Sequence, residues 1–73
     1  MATSIEAHIT GSVWKVLVKP GDKVTAGQAL IIFESMKMEI PLEAEDPGTI
    51  VDVKIQEGQA VTEGDIVIVF DED

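Results

Sequence analysis

Apolar and polar residues alternate between positions 12 and 18, with Trp14, Val16 and Val18 expected on one face and Lys15 on the other. The pattern returns between 49 and 55, where Val51, Val53 and Ile55 share a face and Asp52 and Lys54 point away. Period-two alternation predicts half-buried strands. Two more runs, 28–34 and 65–71, are apolar on both faces at their centres. There the pattern leaves the inward positions open, apart from Phe33 and Phe70, which are expected inside. Shorter extended segments are predicted at 4–9 and 40–45, and no stretch carries helical periodicity of useful length.

These elements are one motif written twice. Laying residues 5–34 against 42–71, a shift of 37, gives ten identical pairs in thirty without a gap, among them Gly11/Gly48, Val24/Val61, Ile31/Ile68 and Phe33/Phe70. A repeat this short cannot bury its apolar face alone. The prediction is an all-β fold of about eight short strands, three or four from each half. A pseudo-twofold axis would relate the halves, packed as a flattened barrel or two small sheets. Turns are expected at Thr10-Gly11 and Asp46-Pro47-Gly48, and one- or two-residue bridges at Val24 and Val61. Gly21, Gly27, Gly58 and Gly64 mark positions that call for positive φ or close approach.

The midpoint of the repeat carries the candidate chemistry. Glu34-Ser35-Met36-Lys37-Met38-Glu39 lies where one apolar run stops and the next extended segment begins, which predicts a hairpin tip. In an extended chain Met36 and Met38 would share one face and Lys37 would take the other. Shifting Lys37 by 37 gives positions 0 and 74, so the symmetry that puts this tip at one end puts both termini at the other. The bland alternative is that the methionines fill core and the lysine is a solvated charge.

Composition narrows the classes. A net charge of −9 on 73 residues speaks against nucleic acid and against anionic membranes, and acidity of this kind keeps a small domain soluble and monomeric. With no cysteine, disulfides, thiolate metal sites and cysteine nucleophiles are excluded. There is no secretory leader pattern, and no apolar run approaches the roughly 20 residues needed to cross a bilayer, so the cytoplasm is the expected compartment. His8 is the one histidine and no motif places a nucleophile beside it, which argues against an enzyme. The clusters Glu43-Glu45-Asp46 and Asp71-Glu72-Asp73 lack the spacing of a metal loop and read as solvated strand ends.

Glu34-Ser35-Met36-Lys37-Met38-Glu39-Ile40-Pro41, with Met-Lys-Met at its core, resembles the attachment motif of the biotinyl/lipoyl carrier domains, in their biotin carboxyl carrier branch. Residues 21–28 and 57–65 are similar to that family's two symmetric turn segments. The resemblance covers essentially the whole chain as a single domain, 1–73, with half-repeats at about 3–36 and 40–73. It implies a flattened barrel of two four-stranded antiparallel sheets, a barrel-sandwich hybrid, with biotin joined by an amide to Lys37. The gapless match of 20–27 to 57–64 leaves no room for the protruding loop of some carboxyl carrier domains, so the chain resembles the compact type, including small biotin/lipoyl attachment proteins.

The resemblance also implies partners. A lysine side chain in water has a pKa of about 10.4 and is protonated at neutral pH, so a separate biotin protein ligase would supply the activated acyl group. The tethered biotin would then shuttle a carboxyl group from a biotin carboxylase to a carboxyltransferase acting on an acceptor such as an acyl-CoA. The carrier itself would be non-catalytic. Met36 and Met38 are expected to give an adaptable apolar surface, and Glu34, Ser35 and Glu39 are candidates for recognition by the ligase. Two alternatives stand beside this reading: a lipoyl carrier with lipoate on the same lysine, as in oxo-acid dehydrogenase or glycine-cleavage systems, and an unmodified interaction module.

Overall fold

The computed structural model describes residues 2–73. Eight strands follow in chain order: β1 (Ala2–Glu6), β2 (Gly11–Val16), β3 (Lys23–Val24), β4 (Ala29–Ser35), β5 (Met38–Glu43), β6 (Gly48–Val53), β7 (Ala60–Val61) and β8 (Ile66–Glu72). They form two four-stranded antiparallel sheets ordered β1-β8-β6-β3 and β5-β4-β2-β7. Exchanging β1–β4 with β5–β8 turns one sheet into the other, so the sequence repeat is a structural pseudo-twofold. The expected all-β class, with two four-stranded sheets and internal symmetry, is what the chain adopts. With extents of 34 × 18 × 17 Å the molecule is elongated rather than flattened, its two shorter dimensions being nearly equal.

The symmetry reaches individual hydrogen bonds. Val13↔Phe33 corresponds to Ile50↔Phe70, and both ladders shift register one step later, between Val13 and Lys15 and between Ile50 and Asp52. Gly21 N–H donates to Ile50 O and Gly58 N–H to Val13 O, each at 2.8 Å, so the turns of one half stitch the other half's strand. Gly21, Gly27, Gly58 and Gly64 all have positive φ, between 85° and 97°. Their place in the left-handed region, costly for a residue with a Cβ, accounts for the glycines at these four turns.

Among the described residues fifteen apolar side chains form the core, with Leu30, Ile31, Phe33, Val67 and Ile68 fully enclosed. Phe33 and Phe70 point inward as expected. The expected facing of β2 and β6 is corrected. Val13 and Ile50 are buried, whereas Trp14 is 42% and Val51 48% exposed, and Val16 and Val53 are only partly buried. Each register shift inserts Trp14 or Val51 as an extra residue, which breaks strict alternation within the strand. A further irregularity at Leu30, between Ala29 and Ile31, lets Leu30 and Ile31 both be buried, so β4 and its counterpart β8 read as apolar on both faces. The long segments also lie one to three residues from their expected bounds, most clearly β1 and β5, which start earlier and end at Glu6 and Glu43.

Candidate functional site

β4 and β5 close on the pair Ser35↔Met38, leaving Met36 and Lys37 as a two-residue hairpin loop. Both have positive φ, 53° and 65°, the signature of a type I′ turn, whose twist matches the flanking strands and which favours Asn-Gly. Neither residue here is Asn or Gly. Each left-handed non-glycine costs on the order of 1 kcal/mol or more, so these side chains occupy the turn against local preference. The hairpin tip is thus where it was expected, but its path is not. The extended conformation that would place Met36 and Met38 on one face is corrected to a tight turn, in which Met36 and Lys37 occupy the loop and Met38 opens β5.

The tip is open to solvent. Lys37 is exposed, Met36 is 92% and Met38 64% exposed. Among the described residues the Lys37 amine has no hydrogen bond or ion pair. By contrast Lys54 pairs with Asp52 at 2.9 Å, Lys19 with Asp22 at 3.6 Å, and the Lys15 ammonium lies 5.5 Å from the centre of the Trp14 ring. Glu34 and Glu39 are exposed and directly opposed across the ladder. Like charges in that position are destabilising. Ser35 is half-buried and its hydroxyl donates to the Thr10 carbonyl at 3.1 Å.

Two residues outside the motif shape the hairpin's base. Gly11 packs so closely under it that a Cβ would fall 2.4 Å from the Glu34 carbonyl oxygen. The Thr10 carbonyl accepts from Ser35 while the Thr10 hydroxyl accepts from Glu63 N–H at 3.0 Å, which ties the hairpin to the turn after β7. The pairing of Gly11 with Gly48 in the repeat is the sequence signal for the first. The sequence places Thr10 in a turn but does not signal these contacts, because its counterpart is Pro47 and they join three separate segments.

The termini lie at the opposite end. β5 leaves the tip at Met38 and runs six residues to Glu43, about 20 Å at 3.3 Å per residue, towards the turn before β6. There Asp73 N–H donates to Pro47 O at 3.2 Å, and Ala2 pairs with Asp71. His8 is exposed and lies against the Phe33 ring at 5.9 Å. A groove of about 330 Å³ between the edge strands β1 and β5 is floored by Ile5, Leu42, Ala44 and Phe70 and rimmed by carboxylates. Among the described residues no group of three or more His, Cys, Asp or Glu is placed to hold a metal ion, and no helix is long and apolar enough to cross a membrane.

A primary amine that is exposed and unpaired, on a rigid two-residue turn, is suited to covalent attachment of an acyl group. The comparisons with known proteins bear on which group. The family model described as "Biotin-requiring enzyme" matches residues 1–70. The chain is 48% identical over 44 residues to a biotinylated protein TB7.3 homolog of Mycobacterium leprae, a match covering 60% of this chain and 62% of that relative. A single-chain, multi-domain long-chain acyl-CoA carboxylase superposes with a TM-score of 0.94 at 33% identity, over 99% of this chain and 7% of that one. The lipoyl domain of the 2-oxoglutarate dehydrogenase complex from Azotobacter vinelandii superposes with a TM-score of 0.75 at 27% identity, over 86% of this chain and 80% of that domain. Matched from residue 1 to 70, the chain belongs to the biotin/lipoyl family of biotin-requiring enzymes.

Proposed function

We propose that this chain is a biotin carboxyl carrier in which Lys37 is the attachment residue. The observation that carries the reading is an exposed, unpaired lysine held on a strained two-residue turn, about 20 Å of strand away from both chain ends. The biotinylated relative and the closer superposition on an acyl-CoA carboxylase than on a lipoyl domain support biotin over lipoate.

A biotin protein ligase presents biotin as its acyl-adenylate, and the Lys37 amine, once deprotonated in the ligase's site, attacks the acyl carbon; the amide C–N bond forms as the C–O bond to the phosphate breaks and AMP leaves. Attached there, the cofactor would supply a ureido nitrogen able to take up and release a carboxyl group. All else falls to the chain. The hairpin points the amide away from the termini, so whatever is joined to the ends does not crowd it. Tethering raises the local concentration of the group at a biotin carboxylase and at a carboxyltransferase without new contacts. Met36 and Met38 offer an adaptable apolar flank. The opposed Glu34 and Glu39 carboxylates lose their mutual repulsion when a basic partner surface meets them, which fits them, together with Ser35, for recognition. Residues 1–73 act as one non-catalytic carrier domain.

Incubation of the chain with biotin protein ligase, a lipoate ligase, both cofactors and ATP tests this. The expected product carries one biotin and no lipoate by intact mass. Lipoate alone on Lys37 would transfer the reading to a lipoyl carrier, and an unmodified chain would make it an interaction module.

A further inference from the structure

Methionine is ordinarily core filler, yet the two beside Lys37 stand in water, 92% and 64% exposed, and Met36 holds a φ of 53° in a turn that favours Asn or Gly. The chain has no cysteine and its third methionine is Met1, so within residues 2–73 all sulfur lies at this one turn. We propose that Met36 and Met38 are a reversible oxidation site: conversion of their thioethers to sulfoxides by hydrogen peroxide stops acylation of Lys37, and a thiol-dependent sulfoxide reductase restores it. The proposal rests on the carrier reading.

The chemistry balances without a metal. A thioether lone pair attacks one peroxide oxygen; the S–O bond forms as the O–O bond breaks, and the departing hydroxide takes a proton to become water. Sulfur is oxidised by two electrons and the peroxide is reduced by two. In the reverse direction two reductase thiols become a disulfide and the oxygen leaves as water. Both sulfurs are accessible to a small oxidant without any opening of the fold, unlike core methionines.

The consequence follows from what lies beside them. A ligase that reaches the Lys37 amine covers the residues on either side of it in sequence, and Met36 is the other residue of the same turn. A thioether is covered at little cost. A sulfoxide carries a strong dipole whose burial without a hydrogen-bond donor is unfavourable. Oxidation leaves the amine and the strand pairing in place, so the effect falls on acceptance of the acyl group rather than on the fold.

Trypsin separates the two sites. Unmodified chain is cut after Lys23, Lys37 and Lys54, placing Met36 in peptide 24–37 and Met38 in 38–54, so each sulfoxide is counted separately. The chain is treated with hydrogen peroxide until both are oxidised, the peroxide is removed, and the initial rate of biotin attachment is read by intact mass and streptavidin shift. Relative to untreated chain the rate falls at least about tenfold, as the burial cost of a polar group implies, and methionine sulfoxide reductase with dithiothreitol restores it. A Met36→Leu/Met38→Leu variant sets its own rate, and peroxide does not change that rate. Attachment to doubly oxidised chain within about twofold of the untreated rate would overturn the switch and leave the carrier reading intact. Absence of attachment to untreated chain would overturn both.

Discussion

The molecule has two ends built on one plan, and they differ chiefly in how the chain closes them. The ladder leading to the lysine hairpin pairs Phe33↔Ile40, Glu34↔Glu39 and Ser35↔Met38. The symmetry-related ladder at the other end pairs Phe70↔Thr3 and Asp71↔Ala2, in the same register and with the same glycine beneath, since a Cβ on Gly48 would meet Asp71 O at 2.4 Å as one on Gly11 would meet Glu34 O. At one end the chain crosses over through Met36 and Lys37. At the other it is open and becomes the two termini. Duplication thus supplies the scaffold, and the crossover supplies a site that the repeat itself does not contain. Hydrogen bonds without a symmetry partner occur at both ends: Ser35 to Thr10 and Glu63 to Thr10 at the lysine end, and Asp73 to Pro47 beside the termini.

The largest effect is expected at the crossover itself. Lys37→Arg abolishes biotin attachment while leaving the thermal midpoint within error of the parent, as checked by streptavidin shift and circular dichroism. A labelled Lys37→Arg protein would show that another lysine is the acceptor.

The glycine pair separates stability from function. Gly11→Ala and Gly48→Ala each force a methyl against a backbone carbonyl and each costs about 2 kcal/mol or more in denaturant unfolding. Only Gly11→Ala also slows attachment, because the carbonyl it displaces belongs to the hairpin. Equal labelling rates for the two variants would mean that the base of the tip does not control its presentation. Ser35→Ala removes one partly exposed hydrogen bond and costs about 0.5–1 kcal/mol, and it slows labelling less than Gly11→Ala does.

The smallest effects depend on pH. Beside the termini, the hydrogen bond with Asp46, and then the Asp46 charge, raise the Glu72 carboxyl above the ordinary glutamate value. A raised carboxyl contributes stability that is present below its unfolded pKa and lost as pH rises through its folded one. Glu72→Gln therefore stabilises slightly at pH 7 and loses that advantage in acid. Asp52 moves the other way. A hydrogen bond and the charge of Lys54 lower it, so its contribution is present above the unfolded aspartate pKa and disappears as pH falls through the folded value, and Asp52→Asn is slightly destabilising only above that range. Thermal midpoints measured from pH 3 to 7 check both signs.

Much of this was legible because duplication doubles every signal. The repeat exposed the symmetry, the paired glycines located the four positive-φ turns, and Phe33 and Phe70 marked the core. What escaped was whatever departs from period two. The extra residues at Trp14 and Val51 sit in register shifts that depend on the neighbouring strand, so hydropathy alone placed Trp14 beside Val16 and Val18 rather than at the surface. The turn escaped for a related reason: Met-Lys has none of the Asn-Gly chemistry that announces a type I′ loop, and the residues that adopt it were selected for their side chains. Thr10 was read only as a turn residue, because its contacts exist only when three distant segments meet.

The most direct test of the account is mass spectrometry of this protein isolated from its own cells and digested with trypsin. Biotin on Lys37 blocks cleavage there, so the account predicts one peptide spanning residues 24–54 that carries a single biotin and is retained on streptavidin. Separate unmodified peptides 24–37 and 38–54, or a lipoyl group in place of biotin, would contradict it.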